Sequence, residues 1–243
     1  MRSANPALSA RTFLDLPDTR GSEVMTVNGT VAKTGVLLIL LTIAAAITWV
    51  LGGTALGTLL GFGGLFAGLI LAIATTFKKT WAPVTAPLYA IAEGLALGLI
   101  SAATNAAYPG VVLQAVGLTF GILFSLLVAY RTGLIAATEN FKLGVVAATG
   151  GIAMIYLVSL GLRLFGLNMP FIHETGPIGI GFSLFVVVLA ALNLVLDFDF
   201  IEKGAEHRAP KYMEWYGAFG LMVTLVWLYL EILSLLRKLN SRR

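Results

Sequence analysis

The sequence predicts an all-α integral membrane protein, a seven-span helical bundle, and three observations carry that prediction. Apolar residues fill 58% of the 243 positions, charged residues only 12%, and the mean hydropathy is +0.91; an ordinary soluble domain carries about twice that charged share. The apolar residues also fall into seven runs of spanning length, roughly 20 residues each. Zero cysteines exclude disulfides, thiolate nucleophiles and Cys-ligated metal sites. The net charge of +4 is small and sits in loops and tails, so it reads as membrane topology and leaflet attraction rather than nucleic-acid binding.

The elements follow in order. Residues 1–33 are polar and mixed in charge, with Arg2, Arg11, Asp15, Asp18, Arg20, Glu23 and Lys33 among Pro, Ser and Thr, and read as a flexible tail ahead of a membrane domain over 34–243. No apolar h-region precedes residue 35, so 35–51 is the first span rather than a cleaved signal. Gly52, Gly53 and Gly57 mark its turn. Span two, 58–77, stops at Lys78 and Lys79. Span three, 84–103, carries Pro87 and Glu93 and ends before Tyr108-Pro109-Gly110. Span four covers 111–130 and span five 144–164, with a polar linker holding Arg131, Thr138, Glu139, Asn140 and Lys142 between them. Span six covers 178–196, after a loop over 168–177. The charged stretch 197–215 then leads to span seven, 216–236.

Lys and Arg are more numerous in the tail and loops 2–3, 4–5 and 6–7 than on the opposite side, which places the N-terminus in the cytoplasm. Arg237, Lys238, Arg242 and Arg243 then lie on the wrong side. A short or re-entrant seventh span would return them, provided other helices wrap it.

Four acids stand out from the solvated ones in loops. Glu93 lies mid-span, Asp197 and Asp199 close span six, and Glu231 lies within Leu228-Tyr-Leu-Glu-Ile-Leu233. A charge at the bilayer centre costs about 2.5–3.5 kcal/mol on insertion scales, so such groups face the bundle interior, a partner or a water path. Glu93 reads equally as a neutral acid bonded to a backbone carbonyl, and Asp199 as a headgroup residue. With no Lys or Arg in the interior of any span, Lys78 and Lys79 are the nearest cations. Two carboxylates meeting in a dry core do not both ionise easily and titrate as a unit, which makes Asp197 and Glu231 a candidate proton sensor. Glu231 comes 15 residues after Tyr216, about 22 Å along a helix, so the pair meets if span six continues to about Lys203 and 211–219 lies along the interface. The seventh span then begins near Leu221, with Tyr212, Trp215 and Tyr216 as interfacial residues.

These residues resemble the Bax inhibitor-1 (transmembrane Bax-inhibitor-motif) family in its bacterial YccA-like branch. The resemblance is strongest in Asp197-Phe-Asp-Phe-Ile-Glu202, Tyr212-Met-Glu-Trp-Tyr-Gly-Ala-Phe-Gly-Leu221 and Leu225-Val-Trp-Leu-Tyr-Leu-Glu-Ile-Leu233. Weaker matches are Met25-Thr26 through Gly29-Thr30 and Lys33-Thr34, Tyr89 through Glu93-Gly94, and Thr138-Glu-Asn-Phe-Lys142. The resemblance implies a seven-helix fold with the last helix central, in a bacterial inner membrane, and a pH-sensitive leak of calcium or other cations. It also implies a proton-sensing aspartate pair on helices six and seven, carried onto Asp197 and Glu231, with Glu for Asp at the second position. The family's latch arginine falls nearest Lys78 and Lys79; a lysine does not hold a carboxylate bidentately, so a latch there is weaker. Glu93 and Asp199 are further candidates for the path.

A channel needs an acid-lined water path closed by apolar residues, and Gly61, Gly63, Gly64 and Gly68 of span two allow close helix packing. The rival reading, also implied by the resemblance, is an accessory protein that binds and modulates a membrane-anchored ATP-dependent protease through an exposed tail. An enzyme is not expected. Gly-x-Ser-x-Gly is absent, no Ser–His pair lies in the spans, and an aspartyl protease would need Asp where Glu231 stands. His173 and His207 lie in loops on opposite sides, so no shared zinc site is expected, and no cofactor. The run Gly176-Pro-Ile-Gly179-Ile-Gly181 opens a membrane helix and reads as helix packing rather than a phosphate loop.

Overall fold

A computed structural model describes residues 24–166 and 176–241. Among these residues, seven helices are long and apolar enough to cross a bilayer: α1 Val27–Val50, α2 Ala55–Phe77, α3 Ala82–Ala107, α4 Val111–Arg131, α5 Glu139–Leu164, α6 Pro177–Glu206 and α7 Met213–Asn240. The protein is a multi-pass membrane protein of the all-α class. Most of the expected tail (1–23), much of the loop over 168–177 and His173 lie outside the described residues.

The helix ends follow from local chemistry. Thr26, Thr54 and Thr138 cap α1, α2 and α5, each side-chain oxygen accepting from the backbone N–H three residues on, as an N-cap does. Gly53 and Gly110 turn the chain with φ of +81° and +85°, in the left-handed region that favours glycine. α1 begins at Val27, eight residues before the start expected at Gly35, because Thr26 supplies the cap.

Residues 24–109 and 197–223 form one compact unit, and residues 110–166, 176–196 and 224–241 another. In the first, α3 packs against both α1 and α2. The buried residues of α2, Gly57, Gly61, Gly64, Gly68 and Thr75, recur at three, four and seven positions, one face of a helix. A methyl on Gly61, Gly64 or Gly68 would strike the Leu99 side chain, the Ala92 carbonyl or the Glu93 carboxyl of α3, so this face packs closely against α3, backbone to backbone at Gly64. Gly63 faces open space and has no packing role. Thr48 of α1 donates to the Leu95 carbonyl of α3 at 2.9 Å.

Small and hydroxylic residues thus face inward, while Leu59, Phe62, Phe66, Leu69 and Ile73 of α2 face outward. A water-soluble helix has the opposite polarity; here lipid solvates the large apolar side chains and small residues let helices approach. In the second unit, Val145, Ile152, Val186, Leu189 and Leu196 form a core. The glycines that open α6 differ from expectation: Gly176 and Gly181 face open space, so helix packing does not account for them.

Of the last two helices, α6 continues as the conditional reading had it, whereas α7 departs from the sequence reading. α6 runs 30 residues, through Asp197 and past Lys203. α7 is not short: its 28 residues make about 42 Å of helix. The stretch expected along the interface is instead its first turns, with Tyr216 and Phe219 buried in ring contacts with Phe200 and Tyr89. In its most apolar window α7 is 67% buried, against 50% for α3 and α6 and 17–28% for the others.

Candidate functional site

Glu231 occupies a polar pocket inside the second unit. It is 9% exposed, and its Oε1 accepts from the Tyr156 hydroxyl of α5 at 2.8 Å and from the Trp227 indole N–H, one turn earlier on α7, at 3.2 Å. A cavity of about 110 Å³ lies against it, lined by Tyr156, Phe182, Ser183, Glu231, Ser234 and Lys238, among others. Lys238 is also 9% exposed, and its ammonium donates to the Gly179 carbonyl at 3.0 Å and the Ser183 hydroxyl at 2.8 Å. Trp227, Glu231, Ser234 and Lys238 recur at four, three and four positions, so one stripe of α7 carries an indole, a carboxylate, a hydroxyl and an ammonium.

This overturns the expectation that no cation lies within a span. Lys238 shares the cavity with Glu231, two turns along the same helix. Lys142 of α5 is buried too and pairs with Glu139 at 3.1 Å. Helices longer than the apolar runs explain both, since polar ends are drawn into the helix where a neighbour satisfies them.

The other expected residues lie in the first unit. Asp197 is fully buried in α6, one turn after Asn193, whose amide donates to the Thr149 hydroxyl at 2.9 Å in the second unit. Asp199 pairs with Lys203 at 2.8 Å, one turn on. Glu93 is half-buried in α3, its carboxyl against Gly68. Lys78 caps the end of α2 and lays its ammonium 5.0 Å from the centre of the Trp81 ring, a cation–π contact. Lys79 opens the short 3₁₀ turn before α3. Among the described residues no group of three or more His, Asp or Glu could hold a metal ion.

One charged centre escaped the sequence reading. Glu214, fully buried at the start of α7, accepts from the Thr26 backbone N–H and hydroxyl, both at 2.9 Å, from Lys33, and from Lys211 at 3.2 Å. Gly29 leaves the room its carboxylate needs, and Met25 donates to the Ala209 carbonyl at 2.7 Å. Thr26, Gly29 and Lys33 of the expected Met25–Thr34 match therefore surround one buried acid.

Comparison with curated proteins and with solved structures gives no match. Residues 5–241 match the family described as Bax inhibitor 1 like, nearly the whole chain, including the α1 start, α6 and α7 that build the two acidic centres. The protein belongs to the Bax inhibitor 1-like family.

Proposed function

We propose that this protein is a pH-sensitive leak path for calcium or other cations, of the YccA-like branch, in which Asp197 and Glu231 act together as proton sensor. The observation that carries the reading is Glu231: a carboxylate in the most enclosed helix, held by two donors and opening on a polar cavity inside an otherwise apolar bundle. A bilayer tolerates such a group where it serves an ion or proton path. Asp197, buried in α6, supplies the second acid. Proton uptake removes their charge and with it their attraction for a cation in transit.

In this reading Lys78 or Lys79 is the latch, Glu93 and Asp199 border the path, and the lipid bilayer and the transported cations are the protein's partners. The chain sits in a bacterial inner membrane with its N-terminus cytoplasmic. The test is flux from liposomes holding the purified protein, with several cations and across pH. A leak that changes with pH supports the reading. Flux equal to that of empty liposomes at every pH would sink it in favour of the accessory protein that modulates a membrane-anchored ATP-dependent protease.

A further inference from the structure

The Glu231 cavity brings together carboxylate and hydroxyl oxygens, two of the ligand types a hard cation takes, and a backbone carbonyl, a third, lies beside it on the Lys238 ammonium. Glu231, Ser183, Ser234 and Tyr156 line it, and the Gly179 carbonyl lies within reach of the same ammonium that Ser183 accepts from. Its roughly 110 Å³ accommodates several waters, by the roughly 15 Å³ one requires, and so a partly hydrated ion. Two of these oxygens are held by Lys238. A lysine ammonium is a compact, strongly hydrated point charge on a flexible stem, the side chain closest in chemistry to a small cation.

We propose that this cavity is a binding site for a hard cation, and that the Lys238 ammonium is its built-in occupant, which calcium or an alkali ion must displace. The inference rests on the reading of Glu231 as part of a cation path, and it adds the residue that sets how readily the site admits a free ion. With the ammonium seated, Glu231 already faces a positive charge and an entering cation meets repulsion. Once the stem swings away, the carboxylate and hydroxyls are open to the ion. Tyr156 from α5 and Glu231, Lys238 and the neighbouring Arg237 from α7 are the titratable or charged groups around it; α6 brings the Ser183 hydroxyl and the Gly179 carbonyl.

The test uses the full chain in lipid nanodiscs, with thermal unfolding followed in calcium, sodium or choline chloride. Lys238→Gln empties the site of its tethered charge. Calcium at about ten times its dissociation constant should then raise the midpoint of Lys238→Gln by several degrees, with a smaller rise in wild type and Lys238→Arg. The double variant Lys238→Gln, Glu231→Gln should lose the rise. A folded Lys238→Gln protein with no more response than wild type, or an equal rise in the double variant, overturns the proposal. Where Lys238→Gln does not fold, wild type decides. Calcium should expel the ammonium and increase modification of Lys238 by an amine-directed reagent several-fold, mapped by mass spectrometry, and this increase should vanish in Glu231→Gln. Modification unchanged or lowered by calcium overturns it. None of these readouts needs conduction: a calcium response without a leak removes the leak reading alone, and a leak without the response removes this site alone.

Discussion

Glu214 and Glu231 are both buried acids on α7, yet their surroundings assign them different work. Glu214 accepts from two lysines and from both donors of Thr26, so its charge is compensated on every side and its role is to tie the start of α1 to the start of α7. Glu214→Gln leaves Lys33 facing a neutral group, and a broken buried pair costs on the order of 3 kcal/mol. The expected result is a clearly lowered unfolding midpoint in detergent, and Gly29→Val should do the same, since its side chain takes the space of the carboxylate. Glu231 accepts from two neutral donors and borders a cavity that it shares with the Lys238 ammonium, so its charge is less closely paired than that of Glu214. Glu231→Gln and Asp197→Asn each fix one position as neutral, and the pH profile of cation leak should flatten or move in both. Glu231→Asp retains the charge and shortens its reach by one methylene, so the profile should persist with a shifted midpoint. Asp199→Asn, whose charge is already paired with Lys203, should change it little. Equal profiles in wild type, Asp197→Asn and Glu231→Gln at matched incorporation would remove the sensor.

At the scale of the element, α2 shows why a glycine matters only on one face. Its apolar run was legible from composition, and so was the chance of close packing, but four glycines in eight residues look alike in the chain. Contact with α3 separates them: Gly64 meets the Ala92 backbone, whereas Gly63 faces outward. Gly64→Ala should therefore loosen the α2–α3 seam and lower the unfolding midpoint, because backbone cannot move aside as a flexible side chain does. Gly63→Ala should hold or slightly raise it, since alanine is the better helix former by about 1 kcal/mol. A loss of stability in Gly63→Ala as large as in Gly64→Ala would show that the seam does not depend on that contact. The two ends of α7 were misjudged for a related reason. Hydropathy sees Glu214 and Lys238 as polar boundaries, and the helix continues through both because Lys33, Lys211 and Thr26 satisfy one and Gly179 and Ser183 the other.

For the whole molecule, seven helices of spanning length place the two chain ends on opposite sides if each crosses once. If the N-terminus is cytoplasmic, as we propose, a spanning α7 leaves Arg237 and Lys238 on the opposite side. The burial of Lys238 reduces the conflict with the positive-inside rule by taking one of them out of the flanking count. Because the chain has no cysteine of its own, single-cysteine labelling reads the orientation without background. Gly53→Cys and Tyr108→Cys should react with an impermeant maleimide from outside intact cells, and Lys79→Cys only after permeabilisation. The reverse pattern would invert the topology.

Class, span number and the candidate acids were determined by the sequence alone, because transfer into lipid depends on each segment's own composition, and a carboxylate within an apolar run is conspicuous whatever its neighbours. The polar stripe Trp227, Glu231, Ser234, Lys238 was readable from spacing, although the apparent end of the apolar run concealed its last member. Tertiary structure decided which donors each acid meets. Tyr156 lies 75 residues from Glu231, and Thr26 lies 188 residues from Glu214. A polar group in a membrane is stable only where a distant segment supplies its partner, and the local pattern of a sequence does not encode that pairing.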